Sequence, residues 1–284
     1  MPQPPAEIAL TAADVGRLLA AQHPHLAGPV RHVAHGWDND LFRLGDDLAV
    51  RLPRREAAAP LMRHEQRWLP HLAPLVPVPI PVPVAVGVPG EGYPWAWSVV
   101  PWFAGAPALG LAPRDRDRFA AQLGGILRSL HVPAPADAPR NPVRGVPLQR
   151  RDAVVRERLQ AVPALRPVWE AALGAPEHDG PAVWLHGDPH PGNILLGADG
   201  AVAALIDFGD LCAGDPASDL AIGWLGFTAA GRAAFRGAVG ADAATWRRAR
   251  GWAVGLATLL HDADEPGLRA MSRHAVGELL GDPR

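Results

Sequence analysis

Two short runs of the sequence gather residue types that could do chemistry. They are His186-Gly187-Asp188-Pro189-His190-Pro191-Gly192-Asn193 and Ile206-Asp207-Phe208-Gly209-Asp210. Between them lie apolar stretches at 194–196 and 202–206, separated by Gly197-Ala198-Asp199-Gly200, a pattern that predicts a β-hairpin. Asn193 precedes the first strand and Asp207 follows the second, so both should fall at the hairpin's open end. An amide oxygen and a carboxylate there form a hard, oxygen-only site suited to magnesium bound to phosphates. Asp188, on the loop entering the hairpin, is placed to orient a hydroxyl and accept its proton. Asp, Asn, Gly and Pro also favour turns in their own right; it is both runs, in order around one hairpin, that argue for chemistry. Gly187, Asp188 and Pro189 argue against the helix that zinc ligation by His186 and His190 would need. The two histidines are expected to brace the loop by hydrogen bonds.

A second constellation lies nearer the N-terminus. Strand alternation in Leu48-Ala49-Val50-Arg51-Leu52 puts Ala49 and Arg51 on one face and the larger apolar residues on the other. Helical spacing after Pro60 places Glu65 among Leu61, Trp68, Leu69 and Leu72. A buried carboxylate needs a cationic partner, and Arg51 is the expected one. An Asp-x-x-x-x-Asn loop followed by Asp-Phe-Gly, with a small residue and a cation two apart on a strand, is the arrangement protein kinases use for phosphoryl transfer.

The elements that must position these residues divide the chain. Thr11 with Asp14 reads as a helix cap before Val15, Leu18 and Leu19. Residues 30–53 read as strands, turning at Gly36-Trp37-Asp38-Asn39 and Gly45-Asp46-Asp47. One helix follows, then an extended connector over residues 75–88 that holds Pro77, Pro79, Pro81 and Pro83, then a strand over 95–100. Beyond it the pattern becomes mostly helical, starting with an amphipathic helix that carries Phe119, Leu123, Ile126, Leu127 and Leu130. Residues 134–147 read as irregular, and a strand is expected at 183–185. The expected class is α+β with two domains, 1–103 and 104–284.

Composition narrows the function classes. The formal net charge of -2 gives no electrostatic footprint for nucleic acid or an anionic membrane. Every basic side chain is Arg or His; the sequence has no Lys. The single cysteine, Cys212, excludes an internal disulfide and reads as a small filler. Neither a signal peptide nor a membrane-spanning run is evident, so a soluble cytoplasmic protein is expected. Asp215 and Asp219 read as structural, Asp215 as a helix N-cap before Pro216. Trp224, Trp246 and Trp252 read as core.

The His-Gly-Asp-x-His-x-x-Asn run, the Ile-Asp-Phe-Gly-Asp run and Gly214-Asp215-Pro216-x-x-Asp219-Leu220 resemble the aminoglycoside and macrolide phosphotransferase superfamily. Gly36-Trp37-Asp38-Asn39 and Arg51-Leu52-Pro53-Arg54 extend the resemblance to the N-terminal part. It implies a bilobal protein-kinase-like fold, with a small antiparallel-sheet lobe and a larger, mainly helical one. It implies Asp188 as catalytic base and Asn193 and Asp207 as magnesium ligands. Arg51 and Glu65 would position phosphates, Ala49 would roof the base, and the Gly36–Asn39 turn would cover the triphosphate. Arg51 departs from the usual Lys, presenting a planar fork instead of a point charge. The implied reaction moves the γ-phosphoryl of ATP or GTP, with magnesium, to a hydroxyl of an aminoglycoside or macrolide. A choline-, homoserine- or sugar-type kinase and a non-catalytic pseudokinase remain alternatives. A polycationic acceptor would need converging carboxylates; Asp262, Asp264 and Glu265 are the candidates, with Glu157, Asp242 and Glu278 more scattered. A solvated charged loop is the competing reading of that cluster.

Overall fold

The computed structural model describes residues 4–282. Its contacts separate two compact units: one runs through Leu75 and includes Pro79–Ala104, and the other comprises Val76–Val78 and the chain from Gly105 onward.

In the first unit, helix α1 (Ala12–Gln22) starts with a capping box, the Thr11 Oγ accepting from the Asp14 N–H while the Asp14 carboxylate accepts from that of Thr11. Strands β1 (Val30–His35), β2 (Asn39–Leu44), β3 (Leu48–Pro53), β4 (Ala85–Gly87) and β5 (Trp97–Pro101) form an antiparallel sheet in the order β1-β2-β3-β5-β4. Helix α2 (Ala59–Leu72) lies in the chain between β3 and β4. An isolated helix of eleven residues is marginal in water, so α1 depends on burying Val15, Leu18 and Leu19 against Phe42, Val50, Leu52 and Trp97. Each such side chain contributes roughly 1.5–3 kcal/mol when fully buried. Val50 and Leu52 occupy that face of β3, which leaves Ala49 and Arg51 on the other, as alternation requires. On α2 the buried face is Met62, Glu65, Trp68, Leu69 and Leu72; Met62, not Leu61, completes the apolar stripe. The proline segment carries no helix or strand between the turn Ala73–Leu75 and β4.

The second unit opens with β6 (Ala106–Pro107), α3 (Pro113–Arg116) and α4 (Ala120–Leu130), whose core side chains are those expected from the period. The irregular stretch follows, then α5 (Asp152–Arg158) and α6 (Arg166–Leu173). Next come β7 (Val183–Leu185), β8 (Ile194–Leu196), β9 (Val202–Leu205) and β10 (Cys212–Gly214). The rest is helical: α7 (Ala217–Leu220), α8 (Ile222–Leu225), α9 (Ala229–Val239), α10 (Ala243–Leu259) and α11 (Pro266–Gly281). The expected hairpin is β8–β9, which carries β6 on its open edge. β7 instead pairs antiparallel with β10, a strand the apolar pattern did not signal. Trp224, Trp246 and Trp252 are all buried. Among the described residues, no helix is long and apolar enough to cross a membrane.

Candidate active site

The loop 186–193 is held from three sides. Ile194 stands opposite Leu205 in the hairpin register, and beyond that pair the Ile206 N–H donates to the Asn193 carbonyl at 3.0 Å. Asn193 and Asp207 therefore flank the open end of the hairpin, as its spacing predicts. The Asn193 Nδ2 donates to the Asp188 carbonyl at 3.0 Å, so Oδ1 is the amide atom that could ligate a cation. Asp207 has a left-handed backbone, φ 62°. Such a conformation costs energy outside glycine and clusters at functional sites.

Asp219 anchors the loop from below. Its carboxylate, fully buried, accepts the N–H of His186 at 2.8 Å and that of Gly187 at 3.0 Å, and meets His131 Nε2 at 3.1 Å. Gly187 has φ 90°, and a Cβ there would stand 2.1 Å from the Asp210 carbonyl oxygen; only glycine permits this approach. His186 bonds the Ile206 carbonyl at 3.0 Å through Nε2, accepts the Asp188 N–H at 3.2 Å through Nδ1, and packs on the buried Phe208. The Nδ1 of His190 accepts the Gly192 N–H at 3.0 Å. Both histidines thus make loop hydrogen bonds.

Arg144, from the irregular stretch, is the residue that the sequence reading missed. Its guanidinium reaches Asp188 Oδ1 at 3.0 Å and Asp210 Oδ2 at 2.9 Å, and Asn141 adds a bond to Asp210 Oδ1 at 2.8 Å. The Asp188 side chain remains 33% exposed and its Oδ2 lies 3.7 Å from His190 Nε2. Burial works against the Asp188 charge, yet Arg144, His190 and His186 together hold its carboxyl below the ordinary value of 3.8. Burial likewise opposes the charge of Arg144, and the two carboxylates more than offset it. Asp188 is therefore ionised at neutral pH.

Helix α7 begins one residue later than expected, so Pro216 and not Asp215 is its N-cap; the Asp215 carboxylate just before it accepts the Ala217 N–H at 3.0 Å and forms a buried two-pronged pair with Arg248. Burial raises the Cys212 thiol far above its usual range, which suits a filler and not a nucleophile.

On the first unit, Arg51 and Glu65 form a two-pronged ion pair, Nη1 to Oε2 and Nη2 to Oε1. Both are buried, with Ala49 beside them on β3. Gly36 closes the β1–β2 turn by donating to the Asn39 carbonyl at 2.8 Å, and its own carbonyl accepts from Arg54 at 2.9 Å. Asn39 Oδ1 is buried with no partner among the described residues. Asp262, Asp264 and Glu265 sit between α10 and α11; the Glu265 carboxylate is engaged as the α11 N-cap, accepting from Gly267 and Leu268.

The sequence profile of the phosphotransferase enzyme family matches residues 29–252. The chain belongs to that family. This phosphotransferase is an enzyme of the small-molecule kinase kind with the bilobal α+β, protein-kinase-like fold. It superposes on the GDP and kanamycin complex of APH(2″)-IIIa with a TM-score of 0.70 at 19% identity, covering 94% of this chain and 95% of that one. The apoenzyme of macrolide 2′-phosphotransferase MphH from Brachybacterium faecium gives 0.63 at 24% identity, covering 94% and 97%. ADP-bound aminoglycoside phosphotransferase APH(2″)-Ib gives 0.62 at 16% identity, covering 96% and 97%. No curated protein sequence matches this phosphotransferase.

Proposed function

We propose that the enzyme transfers the γ-phosphoryl group of ATP or GTP to a hydroxyl of a small molecule. The observation that carries this reading is the Asp188 carboxylate, kept ionised and fixed in direction by Arg144, on the same short loop as Asn193. Asp188 Oδ1 is engaged by Arg144, so Oδ2 is the oxygen that receives the acceptor's hydroxyl. An anion of depressed basicity works first by orientation: it holds the hydroxyl toward the phosphorus and takes the proton as the new bond forms. Asn193 Oδ1 and an Asp207 oxygen are the residues that would hold magnesium. Two neutral-or-anionic oxygen donors on a preset backbone suit that ion, which would neutralise phosphate charge. On the first unit, the Arg51–Glu65 pair supplies a fixed cation for the nucleotide phosphates. Ala49 is the roof for the base, and the Gly36–Asn39 turn the cover over the triphosphate. Solved relatives bound to GDP and to ADP support nucleotide use without choosing between the bases. The division of labour follows the boundary near residue 103, with acceptor binding in the C-terminal part and the protein working in the cytoplasm.

Relatives described with kanamycin, gentamicin and streptomycin, together with macrolide enzymes, make those antibiotics the first acceptors to test. Asp262 and Asp264 would serve a cationic acceptor. The test is magnesium-dependent nucleotide turnover, with product mass read across a panel of hydroxyl compounds. Asp188→Ala is expected to lose turnover by about 10³-fold or more, as removal of a catalytic base plus an orienting contact does. Equal turnover in both proteins would refute the assignment.

A further inference from the structure

A cluster of metal-binding side chains lies on the first unit, apart from every residue given a role above. His32, His35 and Asp40 each bring one ligand atom to within 4.8 Å of the other two. Regular strand geometry would not place them together, because residues three apart on a strand face opposite sides of the sheet. The β1–β2 ladder has a bulge at this point: His32 stands opposite Phe42 and Ala34 opposite Leu41, so Val33 is an extra residue. The bulge turns His35 to the face of His32, directly across from Asp40. That face is the one packed on α1. Asp40 and Phe42 stand opposite Leu52 and Val50, which share a core with Val15 and Leu18. Ala49 and Arg51 occupy the other face of the sheet.

Asp40 is the unusual member of the cluster. Its side chain is only 10% exposed, yet among the described residues its carboxylate accepts no hydrogen bond. Arg54 Nε stands 3.4 Å from Oδ1 without the alignment of a hydrogen bond, and His32 Nε2 stands 4.0 Å away. The Arg54 Nη1 is engaged elsewhere, on the Gly36 carbonyl at 2.9 Å. Buried carboxylates are normally hydrogen-bonded, closely paired or bound to a metal, since leaving the charge bare is costly. The two histidines are exposed, so their rings can turn toward Asp40 without disturbing the core. His32 already stands edge-on to Phe42, ring centroids 5.1 Å apart, which sets its direction over the sheet.

We propose that His32, His35 and Asp40 bind one zinc ion, with water as the fourth ligand. Two imidazole nitrogens, one carboxylate oxygen and an open position make a donor set that zinc takes tetrahedrally. Ligand atoms about 2.0–2.2 Å from such an ion stand roughly 3.4 Å from one another, so small rotations of the two exposed rings close the cluster. Magnesium favours oxygen donors and keeps its waters, so it does not compete for this site. The ion fastens β1 to β2 just ahead of the Gly36–Asn39 turn, on the face of the sheet away from Arg51. It takes no part in phosphoryl transfer, and the site stands whether or not that reading holds.

The test is a zinc titration of tag-free, metal-stripped protein against a chromophoric chelator of moderate affinity, in excess Mg²⁺. Wild type is expected to take up one equivalent of zinc more than His32→Ala/His35→Ala, a comparison that subtracts binding by the other histidines. Loss of a group that merely supports a metal ligand weakens a site by about 10–100-fold, so Asp40→Asn, which removes a ligand's charge, should weaken this one at least about tenfold. Co²⁺ in place of zinc should give wild type, and not the double variant, the intense visible bands of a four-coordinate ion. Wild type that takes up no zinc against the chelator would overturn the proposal whatever the variants do. Uptake by a folded His32→Ala/His35→Ala protein equal to that of wild type would overturn it too, as would displacement of the zinc by Mg²⁺. Circular dichroism on each variant establishes that it is folded.

Discussion

Replacing Arg144 by methionine tests the reasoning about the site most directly. The substitution keeps length and apolar stem but removes the one cation shared by Asp188 and Asp210. Breaking a fully buried ion pair costs roughly 3–5 kcal/mol, chiefly by stranding the partner. Here the partners are 33% and 29% exposed, and Asn141 still serves Asp210, so water recovers part of that cost. About 2 kcal/mol is expected, which for a protein of this size lowers Tm by about 4–8 °C. The chemistry should change in a second, independent way. Once Arg144 is gone, the largest influence on Asp188 is burial, which raises a carboxyl. The acid limb of the turnover–pH profile should therefore move to higher pH, in addition to a fall in turnover at neutral pH. Stopped assays of nucleotide turnover from pH 4 to 8, with thermal melts on the same samples, provide both readouts. An Arg144→Met enzyme with unaltered Tm and an unmoved acid limb would refute the account of how Asp188 is kept charged and aimed.

Three further outcomes follow from the same geometry. Arg51→Met alone strands the buried Glu65 and should cost about 3 kcal/mol in a chemical-denaturation curve; adding Glu65→Leu should restore most stability while nucleotide affinity stays weak. Asp219→Ala removes the acceptor of two loop N–H groups and the partner of His131, so Tm should fall by about 5–10 °C and turnover should drop without direct loss of a reacting group; full activity would show that the loop needs no such anchor. The folded carboxyl of Asp188 lies below its ordinary value, so its stabilisation is present above that value and lost as pH falls through the folded one. Melts between about pH 5 and pH 3 should therefore show a shallower acid decline for Asp188→Asn than for wild type.

How much of this could be read from the chain depended on how local the determinants were. Asn193 and Asp207 were legible because a hairpin converts sequence symmetry about Asp199-Gly200 into adjacency, and the backbone bond from Ile206 to Asn193 realises it. Arg51 and Glu65 were legible because two periodicities, two on β3 and 3.6 on α2, each pointed a charged group inward where only the other could neutralise it. Arg144 was illegible for the opposite reason. It sits in a stretch with no period, and its partners lie 44 and 66 residues later, a pairing that only the folded loops decide. β10 was missed because Cys212-Ala213-Gly214 carries no β-branched or aromatic side chain; its strand character comes entirely from the ladder with β7. Helix α7 starts one position later than the cap pattern placed it, and the Asp215 carboxylate ahead of it serves both the Ala217 N–H and Arg248, a partner 33 residues away that no local pattern signals.

The guanidinium at position 51 has a practical corollary. Reagents that tag kinases by acylating a primary amine beside bound nucleotide need a lysine, and this polypeptide has none. Arginine stays protonated and is not a nucleophile at physiological pH. With the nucleotide site proposed above, surveys built on such acyl-nucleotide labels would pass over the enzyme, and its inventory would rest on product formation or on non-covalent capture.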